Sequence, residues 1–205
     1  MNKLRALVPA LAAPAAFFGA AFKGGHQESG YSHRDEPMSA LAAHGTASGP
    51  VMVGGFLGLA ASTFLLGRAL RGSRMPGAVA GMMQLAGVTI AGAGLARCSD
   101  RTCPTRGLRN GEPKLTDDLH VAFSAPTFML WTAMPLVAGI AGTHLTPIDR
   151  KRALVFGAAS FTTMLVNSAM LSRGAEVRGG GWSQRAFVAS ALGWYPFAAV
   201  AAFRR

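Results

Sequence analysis

The residues best suited to chemistry lie in one short polar segment, GYSHRDEPMSALAAHG, which covers residues 30–45. It places Ser32, His33 and Asp35 close together, with Arg34 between the imidazole and the carboxylate. An imidazole and a carboxylate within reach of each other can act as base and acid or bind a metal. The segment stands between two apolar stretches, so it is either a site or a folded loop.

A second polar segment, TDDLHVAF, offers another carboxylate and imidazole in Asp117 and His120. Residues three apart share a helix face, which makes Asp117 a better partner for His120 than Asp118 is. Both acids also have a purely structural explanation. Thr116 or Asp117 can cap a helix N-terminus, where negative charge is favourable.

These segments define a predicted cluster at one face of the molecule and a set of catalytic candidates within it. The catalytic candidates are Ser32, His33, Asp35, Asp117 and His120. The whole cluster comprises Tyr31, Ser32, His33, Arg34, Asp35, Ser39, Asp117 and His120. We predict no cofactor and no metal, although a haem held by His44 and His120 is an alternative.

The elements that must position these residues are six apolar runs, which contain no charged residue apart from Arg5 at the edge of the first run. Each is long enough, as a helix, to cross a hydrocarbon core of roughly 30 Å. We predict an all-α protein with a single domain, residues 1–205, forming one bundle of six transmembrane helices. The predicted spans are 4–22, 51–67, 76–96, 119–142, 153–171 and 186–203.

Charge distribution sets the predicted orientation. The formal net charge of +11 falls between the apolar runs, which points to topology and anionic lipid rather than nucleic acid. The two sides carry equal numbers of Lys and Arg, but on the side that holds the N-terminus these residues lie in very short connections, directly at the helix ends. We therefore predict a bacterial inner (plasma) membrane location with both termini cytoplasmic. The first run also resembles a signal peptide, so its cleavage is an open alternative.

The two cysteines, Cys98 and Cys103, lie in the loop after the third run, on the predicted outer side. Their spacing can close a small ring, and an oxidising outer space permits a disulfide, which we predict. Two free thiols are the alternative. A zinc site with His120 would need a fourth ligand.

Polar residues inside the runs are few, chiefly Gln84 and Asn167. Ser160, Thr163 and Asn167 share one helix face, which predicts hydrogen bonds between helices. The absence of ionisable residues at mid-membrane argues against an ion-coupled transporter or a pump. Glycine pairs, at 54 and 58 and at 77 and 81, predict close packing of the second and third helices.

Within the polar segment, Pro37 can begin a short helix and Gly45 can end it. We expect residues 37–44 to form a short helix lying at the outer interface. The pattern Tyr31-Ser32-His33, then Pro37-Met38-Ser39-Ala40-Leu41, then Gly45 resembles the first-loop signature of the membrane family called domain of unknown function 998. A Cys- and Pro-bearing loop after the third helix, His120 and six spans also fit; Met38 is a mild departure. The resemblance implies a fold and an outer-face site, but no reaction.

Composition and motifs favour a structural or accessory membrane subunit, which contacts the lipid bilayer and docks other membrane-protein subunits. Ion pairs of Arg34 or Arg101 with Asp117 would order its outer loops. One alternative is an enzyme or binder that acts on a lipid or lipid-linked substrate at the outer leaflet. A haem or metal protein with histidine ligands is the other.

Overall fold

The computed structural model describes residues 3–102, 114–173 and 177–204. Within them lie six long α-helices, a short 3-10 helix and no strand, which confirms the all-α class. Each predicted run coincides with one long helix to within a few residues. The elements are α1 (Lys3–Gln27), the 3-10 helix (Met38–Ala42), α2 (Gly49–Leu70), α3 (Gly77–Leu95), α4 (Leu115–Ala141), α5 (Pro147–Leu171) and α6 (Gly180–Ala201).

Five of these helices, α1 to α5, are long and apolar enough to cross a membrane. Helix α6 is long enough but less apolar, because Gln184 and Arg185 open it and Trp194, Tyr195 and Pro196 interrupt its aliphatic sequence. The chain is therefore a multi-pass helical membrane protein, and the sixth span stays a prediction.

The long helices form a closed ring in chain order. Each packs against the next, and α6 packs against α1. Large apolar side chains on α1 to α5 face outward, among them Leu11, Leu65, Val88, Met129 and Val155. In α6, by contrast, 12 of 22 residues are buried. Its reduced hydropathy thus accompanies its more internal place in the bundle.

Small residues allow the helices to approach closely, but of the four glycines that the sequence singled out only Gly58 does so, where a Cβ would lie 2.9 Å from Ala16 Cβ of α1. A side chain at Gly54, Gly77 or Gly81 would meet no atom within 4 Å. Added to Gly87, a Cβ would lie 2.8 Å from Phe64 Cβ and 2.9 Å from the Ala60 carbonyl oxygen. Tight packing of α2 on α3 is confirmed, but the predicted pair at 77 and 81 does not produce it.

Hydrogen bonds between helices follow the predicted face of α5. Ser183 Oγ on α6 donates to Asn167 Oδ1 at 3.4 Å, and Thr163 and Ser190 hydroxyls lie 2.9 Å apart. Gln84 on α3 donates to the Ala80 carbonyl of its own helix at 3.1 Å, and its Oε1 accepts from Arg71, the residue after α2, at 2.8 Å. Asn167 and Thr163 thus bond to α6, whereas the Ser160 hydroxyl, the third member of the predicted face, is buried without a partner.

A polar contact that the sequence did not indicate joins three helices at the centre of the ring. Tyr195 Oη on α6 accepts from Trp131 Nε1 on α4 at 2.9 Å and from Thr63 Oγ1 on α2 at 3.3 Å. All three side chains are buried. The bond to Tyr195 orients the Trp131 indole, which lines the cavity described below.

The two ends of the ring differ in their connections. At one end, which we call the short-loop end, buried Asp149 accepts from Arg204 at 2.8 Å and from Thr146 at 2.8 Å. The opposite, long-loop end carries residues 28–48, the described part of the loop after α3, and residues 177–179. The polar cluster of the sequence lies at this end.

Candidate functional site

The first loop is fastened to the beginning of α6 by Arg185. Its Nη2 donates to Tyr31 Oη at 2.7 Å and to His33 Nδ1 at 3.0 Å, while Nη1 donates to the Glu36 carbonyl at 3.1 Å. The backbone N–H of Trp182 adds a bond to the Arg34 carbonyl at 3.0 Å. One arginine at a helix start thereby orders the whole polar segment.

The carboxylates of the first loop form structural hydrogen bonds and ion pairs. Asp35 accepts from Ser32 Oγ at 3.0 Å, from Arg34 Nε at 2.9 Å and from the Gly179 N–H at 2.8 Å. Hydrogen bonds from Arg34 and from that backbone N–H hold the pKa of Asp35 well below its usual range. These bonds favour a permanently charged Asp35, which serves as an anchor.

Glu36 forms an ion pair with Arg101 of the loop after α3. Both of its oxygens accept from Arg101, including a 2.8 Å bond from Nε, and Ser32 N–H donates to Glu36 Oε1 at 2.9 Å. Arg101 also lies 3.9 Å from Glu28. The predicted pairing of Arg101 with Asp117 is therefore wrong, since Arg101 is turned toward the glutamates of the first loop.

His33 is held as a neutral acceptor. Because Arg185 donates to Nδ1, the proton of the uncharged ring must lie on Nε2, which is buried without a partner. Partial burial, then the neighbouring charges of Arg185 and His26, lower the pKa of His33. Gly25 lies directly against the ring and leaves no room for a side chain there.

The short helix that the sequence predicted is present, but it is a 3-10 helix and it does not lie at the interface. All five of its residues are buried. Gln184 Oε1 accepts from the Met38 N–H at 2.6 Å, and Arg97 donates to the Ala42 and Ala43 carbonyls at 2.7 Å each. One side chain of α6 and one of the loop after α3 thus satisfy backbone groups of this element and keep it inside the ring.

The second pair of candidates lies beside the end of α3. The Asp117 carboxylate accepts two hydrogen bonds from Ser99, one from the backbone N–H at 2.6 Å and one from the hydroxyl at 2.8 Å. His120 is 3% exposed, and its Nδ1 lies 2.9 Å from the Ala93 carbonyl and 3.0 Å from the Ala96 carbonyl. Asp117 lies in the first turn of α4, whose N-cap position is Lys114.

The structure thus distributes the catalytic candidates over two groups with different partners. Ser32, His33 and Asp35 contact residues of the first loop and the start of α6, while Asp117 and His120 contact the end of α3. Their joint catalytic role stays a prediction.

The alternatives with metals or haem draw on histidines in different surroundings. His44 is exposed beside Thr46 and Asp100 in a shallow depression, whereas His120 is buried. Across the described ranges, no group of three His, Cys, Asp or Glu side chains is arranged to hold a metal ion. Cys98 is fully buried, and Cys103 lies outside the described residues. The disulfide stays a prediction, which peptide mapping without reductant would check.

Beneath the 3-10 helix lies a cavity of about 390 Å³, within the size range of small-molecule sites. Its roof is formed by Ser39 and Gln184, its wall by His120, and its deep end by Trp131 and Phe128. We call it the roofed cavity. It is mostly apolar, with a few polar groups at the end nearest the long loops.

The roofed cavity opens between α4 and α5. Val121 and Ala125 of α4 and Ser172 after α5 line it and are exposed on the outside of the bundle. Toward the short-loop end the same two helices are in tight contact, since Gly157 leaves no room for a side chain beside Leu136. The opening therefore faces the space that lipid occupies around a membrane protein.

Several residues that build this site were not identified from the sequence. Gln184 and Arg185 could have been recognised as site residues, because two polar residues stand together at the edge of an otherwise apolar run. Arg97 and Glu36 carried no such signal, since charged loop residues are common. The role of Trp131 depends on long-range contacts that no spacing rule predicts.

Comparison with known proteins places the whole bundle in one group. The family model described as "Protein of unknown function (DUF998)" matches residues 11–201, nearly the whole chain. No curated protein and no solved structure matches it.

Proposed function

The chain belongs to the DUF998 family, and we propose that it binds an apolar, lipid-like molecule in the roofed cavity. The observation that carries the proposal is a mostly apolar cavity that opens laterally between two membrane-spanning helices. This corresponds to the sequence-based alternative of a lipid binder, and it takes precedence here over the accessory-subunit hypothesis.

The first loop supports the proposal as the structure that holds the roof. Arg185, Asp35 and Glu36 fasten the loop, and the loop continues directly into the 3-10 helix that carries Ser39. Gln184 ties this helix to α6 and also lines the cavity. The polar segment thus contributes to binding by positioning the roof, while its carboxylates are engaged in ion pairs.

We further propose that α6 crosses the membrane as a sixth span and that both termini are cytoplasmic in the bacterial inner membrane. The supporting observations are its length and its place in the ring between α5 and α1. The roofed cavity would then lie in the outer half of the bilayer.

The binding proposal can be tested by native mass spectrometry of the protein released from its own membranes. We expect an amphiphile to remain bound to the natural chain. Ala125→Trp, which places a large side chain at the mouth of the cavity, should release it. Ala122→Trp is the matched control, because Ala122 is also exposed on α4 but does not line the cavity.

Two results would contradict the proposal: a natural chain without any bound amphiphile, or equal occupancy in the two tryptophan variants. Both variants must first elute as monodisperse protein with the helical content of the natural chain. A difference between them then reports on the cavity and not on folding.

A structural or accessory subunit remains the second candidate, and helix α5 favours it. In the apolar stretch of 18 residues that makes α5 a candidate span, only 17% of the residues are buried within the chain. Leu165, Val166 and Phe161 are exposed along it. Purification in mild detergent that yielded only isolated monomers would argue against this candidate.

A further inference from the structure

The roofed cavity contains polar groups of defined hydrogen-bonding character, and they restrict the head group of any bound molecule. His120 Nδ1 lies between two backbone carbonyl oxygens, which only accept, so Nδ1 must carry a proton. In the uncharged ring, Nε2 is then an acceptor. His120 lines the cavity, and we take this nitrogen as the acceptor available to a ligand.

Gln184 supplies the complementary group. Its Oε1 is committed to the Met38 N–H at 2.6 Å, which leaves the amide NH₂ as the donor the side chain can offer. Ser39, from the same roof, adds a hydroxyl that can donate or accept. The cavity therefore offers the imidazole acceptor, the amide donor and the Ser39 hydroxyl, and its lining also includes the hydroxyls of Ser124, Thr127, Ser168 and Ser172.

Charge is the third restriction. Within the described part of the chain, the residues that line the cavity include no Asp, Glu, Lys or Arg. A buried carboxylate or phosphate without a cationic partner carries a large desolvation cost. Phosphate sites normally contain Arg, Lys or a series of backbone N–H groups.

We infer that the ligand is an electrically neutral amphiphile, a long-chain or isoprenoid alcohol, whose hydroxyl donates to His120 Nε2 and accepts from the Gln184 amide. Its chain extends along Phe128 and Trp131 and leaves between α4 and α5. The inference rests on the proposed function, because it specifies the ligand class of the same cavity.

The test uses Trp131 as an internal reporter in protein reconstituted into phosphatidylcholine nanodiscs. The probes are four ω-bromo compounds with the same undecyl chain: the alcohol, its methyl ether, the carboxylate and the phosphate monoester. Bromine quenches tryptophan fluorescence on contact. Trp182, which is 60% exposed, is replaced by Phe so that bulk lipid contact does not contribute, and the buried Trp194, which does not line the cavity, stays in every chain as a constant background. A Trp131→Phe chain that retains Trp182 measures the concentration of each probe in the bilayer.

We expect saturable quenching of Trp131 by the alcohol. The ether cannot donate to His120, and loss of one hydrogen bond should weaken its binding by roughly fivefold. The carboxylate and the phosphate should bind more weakly still. In His120→Phe, the affinity for the alcohol should fall to that for the ether, while the affinity for the ether should not change.

The outcomes separate the two proposals. If all four probes quench equally and saturably, the cavity binds amphiphiles but the head-group inference is overturned. Preferential binding of the carboxylate or phosphate also overturns it. If no probe quenches Trp131 beyond the bilayer control, the proposed function itself fails. The comparison of alcohol with ether is made in a chain with His120 intact, so it does not depend on the folding of the His120→Phe variant.

Discussion

At the scale of single residues, Arg185 is the side chain on which the order of the first loop most depends. It donates hydrogen bonds to Tyr31, His33 and the Glu36 carbonyl at the same time. We expect Arg185→Gln to lower the free energy of unfolding by about 2 kcal/mol, since bonds from a charged donor are each worth roughly that much. Hydrogen exchange at the Trp182 amide should accelerate as the loop detaches.

The matched control for that variant is Arg178→Gln, a change of the same type at an exposed position two residues before α6. Exposed substitutions usually remain within about 0.5 kcal/mol of the parent. Equal losses of stability in the two variants, measured by denaturant titration in detergent, would show that Arg185 does not fasten the loop.

His33 gives the same loop a dependence on pH. Burial, Arg185 and His26 lower the pKa of His33 in the folded chain, whereas an unfolded histidine titrates near about 6.5. Just below that pH the unfolded state binds more protons, so stability falls as the pH falls through this window. Asp35 does not offset the loss, because its lowered pKa keeps it charged there.

We therefore expect unfolding midpoints to decrease between about pH 7.5 and about pH 5.5. The decrease should be smaller in His33→Gln, which retains an acceptor for Arg185 but cannot be protonated. His44→Gln, at an exposed histidine, is the control and should behave as the natural chain does. An unchanged pH dependence in His33→Gln would rule out this residue as its source.

Residue-level prediction from the sequence succeeded in locating the polar end of the bundle and failed in assigning partners. Ser32, Asp35 and Asp117 all lie at the long-loop end, and each is hydrogen-bonded to neighbouring residues of the scaffold. Arg101 was paired with the wrong carboxylate. The partner of a loop side chain is set by how the helices assemble, which local spacing does not contain.

At the scale of elements, the packing of α2 on α3 depends on individual glycines. A Cβ at Gly87 would press on Phe64 and the Ala60 carbonyl. We expect Gly87→Ala to destabilise the bundle by about 1–3 kcal/mol, as overpacking does. Gly81→Ala, on the same helix but with open space, should be neutral or stabilising by up to about 1 kcal/mol.

Thermal unfolding of the two alanine variants side by side makes this comparison, because the change in backbone entropy is the same in both. If Gly81→Ala were as destabilising as Gly87→Ala, the cause would be local to the helix and not the contact with α2.

The sequence predicted the six long elements well because charge-free apolar runs of membrane length leave few alternatives. It also predicted a short helix after Pro37. It did not predict that this helix would be buried, since Met38 and Leu41 are equally suited to an interface. Burial follows from Gln184 and Arg97, which satisfy the backbone of the short helix from elsewhere in the chain.

At the scale of the whole molecule, the closed ring explains how a less apolar helix can belong to a membrane protein. Helix α6 buries Gln184, Phe187, Trp194 and Tyr195 against its neighbours, with Tyr195 at the centre of the ring and Gln184 at the cavity. Its hydropathy is therefore a poor guide to its location. Contact with neighbouring helices, and not with lipid, decides whether such a helix can cross.

The proposed topology of six spans can be measured by the accessibility of single cysteines. We expect single cysteines at His44 and Arg178, introduced into a chain without natural cysteines, to react with a membrane-impermeant maleimide in intact cells. A cysteine at Thr143 and a tag after Arg205 should become accessible only after permeabilisation. His44 and Arg178 are exposed at the long-loop end of the ring, and Thr143 is exposed at the short-loop end.

The decisive comparison is between Arg178 and the C-terminal tag, because only α6 separates them. Opposite sides would establish the sixth span, and labelling of Arg178 from outside would place the roofed cavity in the outer half of the bilayer. The same side for both would leave five spans and return α6 to one face of the membrane. Because α6 supplies Gln184 and fastens the first loop, a ring without it as a span could not roof the cavity as proposed, so this result would also remove the basis for ligand binding there.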